Sequence, residues 1–268
     1  MVNIAINGFG RIGSLVFQAA YHDPDINVVA INDPSDPQNL SLLLRYDSVH
    51  GRFKGTVEPA EHGLIIDGKF LKVFKELDPE KLPWKDLNVD VVVECTGHFR
   101  DREGAMKHIN AGAKKVLISA PAKDPDFTVV KGVNEHMYDK TKHTIISNAS
   151  CTTNCLAPMV KVLHDNFGVA RGFLTTVHAD TADQRLVDAY HKDPRRGRSA
   201  LVNIVPTSTG AAKAVTAVIP ELKGKLDGLA MRVPVPDGSI TDFVCELKKD
   251  VSVDEINSLF KNVAEYHL

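Results

Sequence analysis

Apolar and polar positions follow two different rhythms along the chain, and the change falls just past its middle. In the first half, short runs rich in valine and isoleucine alternate with stretches of helical period. Residues 2–6 read as a buried strand, followed by a helix through Leu15, Val16, Ala19 and Ala20 and a second strand at 27–31. Residues 40–46 read as helical. The pattern then loosens: 51–56 and 64–74 read as short antiparallel strands, with turns at Glu61-His62-Gly63 and Asp67-Gly68-Lys69. Alternation returns with a strand at 89–94, a helix at 102–111, and strands at 115–119 and 144–147. Strands separated by helices predict a doubly wound parallel sheet, an α/β domain of the Rossmann type over residues 1–149. From residue 169 the rhythm is different. Long strands at 169–178, 226–233 and 239–247 lack intervening βαβ helices, which predicts an α+β second domain, 150–268, with a mainly antiparallel sheet. A long polar loop, 179–203, carries Arg185, Arg195, Arg196 and Arg198; a loop of that length is usually functional or an interface. Residues 252–266 read as a helix opened by a capping box at Ser252 and Glu255.

Composition narrows the class. A chain of 268 residues, 43% hydrophobic and 25% charged, can bury a sizeable core in one or two domains. The formal net charge is 32 − 34 = −2, without long runs of one sign, which argues against a dedicated nucleic-acid partner. No apolar stretch is long enough to span a bilayer, and residues 2–6 read as a strand rather than a secretory leader. Cysteines 95, 151, 155 and 245 form no C-x-x-C pair, so neither a disulfide framework nor a metal site is expected, and a cytoplasmic location fits.

Two stretches carry chemistry. The first strand runs into Asn7-Gly8-Phe9-Gly10-Arg11-Ile12-Gly13, a G-x-G-x-x-G turn that opens a helix; the next strand ends in Asn32-Asp33. The first glycine makes a tight turn, the second admits a pyrophosphate, and the third lets helix and strand pack closely. The phosphates sit on the helix N-terminus. Asp33 would accept from the adenosine ribose hydroxyls and repel a 2′-phosphate, which points to NAD, with use of NADP left open. Thr96, Gly97 and Ser119 fall at later strand ends, where ligands of such sheets bind, so they are expected to line the same crevice.

The second stretch is Ser147-Asn148-Ala149-Ser150-Cys151-Thr152-Thr153-Asn154-Cys155, placed where a strand ends and a helix begins. A thiol at a helix N-terminus has its thiolate stabilised, so Cys151 is a candidate nucleophile, although a small buried hydrophobe is the alternative. Cys155, one turn on, is expected to pack. Further along, His178 ends a strand, Thr207-Ser208-Thr209-Gly210 opens a helix, and Arg232 ends another strand. A Thr-Gly turn is an anion site or a simple N-cap. Singly, a lone histidine is more often structural than catalytic, and a lone arginine on a strand end is usually a solvated charge.

Together they resemble one family. Ala149-Ser150-Cys151-Thr152-Thr153-Asn154 is similar to the active-site motif of phosphorylating glyceraldehyde-3-phosphate dehydrogenases of bacterial type. The glycine turn, Asn32-Asp33-Pro34, Glu94-Cys95-Thr96-Gly97, residues 206–213 and Arg232-Val233-Pro234 match in the family's order, from Met1 to Leu268. The resemblance implies NAD held by Asn7, Gly8, Gly10, Arg11, Ile12, Asp33, Thr96, Gly97 and Ser119. It implies a Cys151 thiolate that attacks the aldehyde, paired with His178 as acid–base, with passage through a thiohemiacetal and a thioester that inorganic phosphate cleaves. Thr181 and Arg232 would then hold the phosphate of glyceraldehyde 3-phosphate. Ser150, Thr152, Thr209 and Gly210 would hold the attacking phosphate, with Arg198 nearby. Family members are usually homotetramers, with the 179–203 loop at a subunit interface.

The chain also departs from the family. Asp180 stands where an aromatic residue is usual, Ala182 replaces an asparagine, Ala189-Tyr190 stands where Leu-Pro is common, and Leu77 replaces an arginine near the adenine. Family members continue several tens of residues past the point matching Leu268. The resemblance therefore implies a fragment whose catalytic sheet has an open edge. Erythrose-4-phosphate dehydrogenase on the same scaffold and an inactive NAD-binding fragment are the alternatives. A Cys-His hydrolase would leave the dinucleotide motif unexplained.

Overall fold

A computed structural model describes residues 1–266 of the chain. The chain divides into two compact units: residues 1–128 with 138–148, and residues 129–137 with the chain from Ala149 on.

The first unit is a nine-stranded sheet flanked by helices. Its elements are β1 (Val2–Asn7), α1 (Arg11–Ala20), β2 (Ile26–Asn32), α2 (Pro37–Arg45), β3 (Tyr46–Asp47), β4 (Gly51–Arg52), β5 (Val57–Ala60), β6 (Gly63–Ile66), β7 (Lys69–Phe74), β8 (Val91–Glu94), α3 (Arg102–Asn110), β9 (Lys115–Ile118), β10 (Phe127–Thr128) and β11 (Ile145–Ser147). The sheet order is β10-β11-β9-β8-β1-β2-β7-β6-β5, with β3 and β4 forming a separate ribbon. Pairings from β10 to β7 are parallel; β6 and β5 add on antiparallel. The chain leaves β1 towards β2 on one side and returns as β8 on the other, so β1 and β8 flank the point where strand order reverses. Alternate residues of the strands face opposite layers. Ile6 and Ile31 pack with Phe9, Phe17 and Leu44, while Ala5 and Ala30 pack with Trp84 and Val92.

Several expectations need correction here. The strand expected at 51–56 is only Gly51–Arg52, and the strand that enters the sheet is Val57–Ala60. It carries Pro59, which an edge strand tolerates because no further strand needs its missing N–H. The helix expected at 40–46 starts earlier, at Pro37, where the Asp36 side chain accepts from the Asn39 N–H and proline fits the first helical position. Tyr46 has already left it. The turn at Asp67-Gly68 is as expected, with both residues at positive φ, 47° and 77°.

The second unit holds α4 (Cys151–Phe167), β12 (Val169–Ala179), β13 (Val205–Ser208), α5 (Ala211–Val218), β14 (Leu226–Val233), β15 (Ser239–Leu247) and α6 (Val253–Tyr266). Its sheet runs β13-β14-β12-β15. The two outer pairings are antiparallel and the central one, β12 with β14, is parallel. Leu156 and Val160 of α4, Leu174 of β12 and Val215 of α5 form the core. On the other face of the sheet Phe173, Val177, Ile240 and Val244 are exposed. The capping box of α6 is present: Ser252 N–H donates to Glu255 at 2.7 Å, and Glu255 N–H donates to the Ser252 hydroxyl at 3.3 Å. Cys155, expected to pack, is exposed. Among the described residues no helix is long and apolar enough to cross a membrane.

Candidate active site

In the first unit the glycine turn has the form a dinucleotide needs. Gly8 lies at φ +89°, and its N–H donates to the Asn32 carbonyl at 2.8 Å. A Cβ on Gly13 would fall 2.0 Å from the Gly8 carbonyl oxygen, so helix and turn touch through hydrogen only. A Cβ on Gly10 would meet nothing within 4 Å, which leaves the backbone open to approach. Helix α1 starts at Gly10 without a side-chain cap, and the N–H groups of a first turn have no partner inside the helix. Asp33 accepts from Phe9 N–H at 2.8 Å through Oδ2 and from Ser35 N–H at 2.9 Å through Oδ1, so each oxygen keeps a lone pair for a ribose hydroxyl. These residues fit a bound NAD.

The remaining expected residues of this crevice are placed unevenly. Ile12 is half exposed on the first turn of α1, and the Arg11 guanidinium is paired with Asp47. Gly97 lies at φ +74°, and Ser119 N–H donates to the Glu94 carbonyl at 3.0 Å. Burial pushes the neighbouring Cys95 thiol up to about 11. Asn7 is different: its side chain is buried and turned inward, bonded to Glu94 and Asn32. It holds the turn from beneath rather than lining the crevice. Glu94 stood unassigned within the matched motif, and His108 and Trp84 carried no sequence signal.

In the second unit Cys151 is the first residue of α4, and Ser150 is its N-cap, accepting from Thr153 N–H at 3.0 Å. Ala149, just before, sits at φ +56°, a left-handed conformation that costs a non-glycine residue on the order of 1 kcal/mol. The Sγ of Cys151 lies 3.3 Å from His178 Nε2 and 3.9 Å from Thr152 Oγ1. The other ring nitrogen, Nδ1, is 2.7 Å from the Ala179 carbonyl, which also accepts from Arg232 Nη1 at 3.1 Å. Nδ1 also lies 3.1 Å from Arg232 Nη1, so it donates to the carbonyl or accepts from the guanidinium; either way Nε2 is left for the sulfur. The hydrogen bond to His178 lowers the Cys151 thiol to about 7 against the opposing effect of burial, and the same bond raises His178. Thiolate and imidazolium therefore favour each other.

Parallel pairing of β12 with β14 puts Arg232 directly beside His178. From Arg232 a chain of polar contacts runs outward. Its Nη1 donates to Thr181 Oγ1 at 3.0 Å, Thr181 donates to Asp183 at 2.5 Å, and Arg196 donates to Asp183 at 2.6 Å. Burial would raise Asp183, but the Thr181 hydroxyl and the Arg196 charge hold it below the ordinary carboxylate value. Asp180 is raised, because burial outweighs the attraction of Arg232. Buried polar atoms here have no hydrogen-bond partner: Arg232 Nε, Asp180 Oδ1, Thr207 Oγ1 and both amide atoms of Gln184. Burying such atoms unpaired is costly, and clusters of them mark places that a ligand or water completes.

Helix α5 is capped by Gly210 without a side-chain cap, while Thr209 Oγ1 accepts from Ala211 N–H at 3.2 Å. The simple Ser/Thr N-cap is therefore not how this helix begins, and a Cβ on Gly210 would meet nothing within 4 Å. The Arg198 guanidinium pairs with Asp188 at 2.5 Å. The loop cation joined to the Thr181 chain is Arg196, which also reaches the Ser208 carbonyl at 3.4 Å.

Comparison with known proteins matches both halves of the chain to one family. The family model for the NAD binding domain of glyceraldehyde 3-phosphate dehydrogenase matches residues 2–102, and that for its C-terminal domain matches residues 150–268. A glyceraldehyde-3-phosphate dehydrogenase of Geobacillus stearothermophilus is 57% identical over 267 residues, covering 100% of this chain and 80% of the relative. One from Clostridium acetobutylicum is 56% identical over 267 residues, covering 99% and 80%, and glyceraldehyde-3-phosphate dehydrogenase 1 of Bacillus subtilis is 55% identical over 264 residues, covering 98% and 79%. The two matched domains and the Cys151–His178 pair at the start of α4 lead to one conclusion: the chain belongs to the glyceraldehyde 3-phosphate dehydrogenase family of NAD-dependent oxidoreductases.

Proposed function

We propose that the chain oxidises D-glyceraldehyde 3-phosphate to 1,3-bisphosphoglycerate, with NAD and inorganic phosphate, in glycolysis or gluconeogenesis. The observation that carries this is the 3.3 Å contact between Cys151 Sγ and His178 Nε2, with the thiol lowered to about 7. Cys151 thiolate adds to the aldehyde carbon, and His178 gives its Nε2 proton to the oxygen as the thiohemiacetal forms. The same nitrogen takes that proton back when the carbonyl is restored. Gly8, Gly10, Arg11, Ile12, Asp33, Thr96, Gly97 and Ser119 would hold NAD, which would supply the hydride acceptor for oxidation of this adduct to a thioester. Phosphate then attacks the thioester carbonyl, and Cys151 leaves as thiolate.

Arg232 and Thr181, bonded to each other at 3.0 Å, hold the substrate's phosphate once that bond opens to it. Ser150, Thr152, Thr209 and Gly210, at the openings of α4 and α5, hold the attacking phosphate. Arg198 would join them on leaving Asp188. The same reading makes the protein a cytoplasmic homotetramer, carried by the family likeness. The test is the appearance of reduced NAD. It should require inorganic phosphate and run faster with glyceraldehyde 3-phosphate than with erythrose 4-phosphate. NAD binding without turnover on either aldehyde would refute the catalytic reading.

A further inference from the structure

Beneath the glycine turn of the first unit lies a polar network that the chemistry at Cys151 does not use. Asn7, Trp84, Glu94 and His108 are each no more than 1% exposed. Trp84 Nε1–H donates to His108 Nδ1 at 3.0 Å. An indole can only donate, so Nδ1 accepts and the ring proton sits on Nε2, 3.1 Å from Glu94 Oε2. Glu94 Oε2 also accepts from Asn7 Nδ2 at 2.6 Å, and Oε1 accepts from Thr96 N–H at 2.8 Å and from the Thr96 hydroxyl. The direction of the Asn7 amide is fixed in turn. Asn32 donates to Glu76 O and accepts from Glu76 N–H, both at 2.9 Å, and the same Asn32 Nδ2 donates to Asn7 Oδ1 at 2.7 Å. Every partner of Glu94 is thus a donor.

The network ties together three strand ends where the parallel sheet changes direction: Asn7 on β1, Asn32 on β2 and Glu94 on β8. The groups it holds are those the dinucleotide site is made of. A Cβ on Gly8 would lie 2.8 Å from the Thr96 nitrogen, the same nitrogen that Glu94 Oε1 accepts from. Cys95 N–H donates to the Asn7 carbonyl at 2.7 Å, which closes β8 against the turn. The separation between the Gly8 turn and the Thr96-Gly97 turn is therefore held by the backbone pairing of β1 with β8 and, from below, by the Glu94 carboxylate.

We infer that Glu94, oriented by His108 and Trp84, is a positioning residue for NAD: it acts through Thr96 and the Gly8 turn and touches no cofactor atom itself. The inference rests on the dinucleotide reading of this crevice. Glu94→Gln keeps the shape but puts an NH2 where one oxygen accepts two bonds; at Oε1 the Thr96 hydroxyl can turn round to accept, which leaves one N–H facing the Thr96 N–H donor. His108→Phe removes both the acceptor for Trp84 and the donor to Glu94, whereas His108→Gln can keep the donor.

The experiment is calorimetric titration of NAD into the full chain and these variants, with steady-state kinetics beside it. Glu94→Gln should raise the NAD dissociation constant roughly tenfold, the cost of one misdirected bond to a charged group. His108→Phe should raise it several-fold, and His108→Gln should restore it to within about twofold. KM for NAD should rise while KM for the aldehyde stays put, which a general loss of folded protein would not produce. Trp84 is the sole tryptophan, so its emission reads the indole's partner directly and should shift in His108→Phe and recover in His108→Gln. The His108 pair carries the test even where Glu94→Gln does not fold. Wild-type chain that fails to bind NAD would refute the dinucleotide reading itself. Wild-type binding with unchanged affinity in Glu94→Gln, or with His108→Gln as weak as His108→Phe, would overturn the positioning role alone.

Discussion

The crevice of the first unit and the Cys151 site of the second are built on opposite plans. The first is made of backbone. Its contact surface is a glycine turn, an uncapped helix start and Asp33, and the polar side chains beneath it bond to one another. The second is made of side chains and is left open. Five polar atoms on Arg232, Asp180, Thr207 and Gln184 have no hydrogen-bond partner, and a thiol and an imidazole share a proton. A site that only binds can be satisfied in advance, because its ligand meets fixed N–H groups. On the proposed reaction the second site moves protons and takes phosphates, and it keeps donors and acceptors in reserve for groups that arrive during turnover.

This contrast can be broken from either side. The largest effect is expected at His178. His178→Asn should lower kcat on the order of 10²–10⁴-fold. It should also move the midpoint of Cys151 alkylation by iodoacetamide upward from about 7, since the bond that lowers the thiol is gone; an unmoved midpoint would show that the helix start alone sets the thiol. Next is Gly13→Ala, whose Cβ would fall 2.0 Å from the Gly8 carbonyl. It should destabilise the fold by about 2–4 kcal/mol in thermal melts and weaken NAD binding, while sparing alkylation of Cys151 in the chain that remains folded.

A smaller effect, of about fivefold, is expected from Asp180→Asn, worth ~1 kcal/mol of repulsion between a carboxylate and the substrate phosphate. Removing the charge should lower KM for the phosphorylated aldehyde. Because burial raises Asp180, its carboxyl is neutralised earlier on acidification than an ordinary one, so wild type and variant should converge as pH falls. Equal KM values at all pH would show that Asp180 does not face the phosphate. Of similar size is Ser150→Ala, which removes the cap of α4 and should cost about 1 kcal/mol of stability in denaturant titration.

Legibility in the sequence followed the range of the interaction. The G-x-G-x-x-G turn and the Ser150-Cys151 helix start are local, so strand, glycine and helix within a few residues announced them, and the structure has both. The two-residue strand Phe127–Thr128 carried too few positions to show a period, and Val205–Ser208 was hidden by Pro206. Parallel pairing of β12 and β14 was not visible, because strand direction is set by the route of the connection rather than by composition. Four loop arginines look alike in sequence; that Arg196 reaches Asp183 while Arg198 takes Asp188 is decided by how the loop folds back. The Glu94–His108–Trp84 network spans 24 residues, from a turn through β8 to α3, without a shared period.

The most direct test of the whole account is mass analysis of the chain after mixing with glyceraldehyde 3-phosphate and NAD in the absence of inorganic phosphate. The account predicts an acyl group on the peptide bearing Cys151, absent from Cys151→Ser and cleared when phosphate is added. Cys155, exposed one turn further along α4, is the internal control. An adduct on Cys155, or none on Cys151 while NAD is bound, would contradict the assignment of the nucleophile.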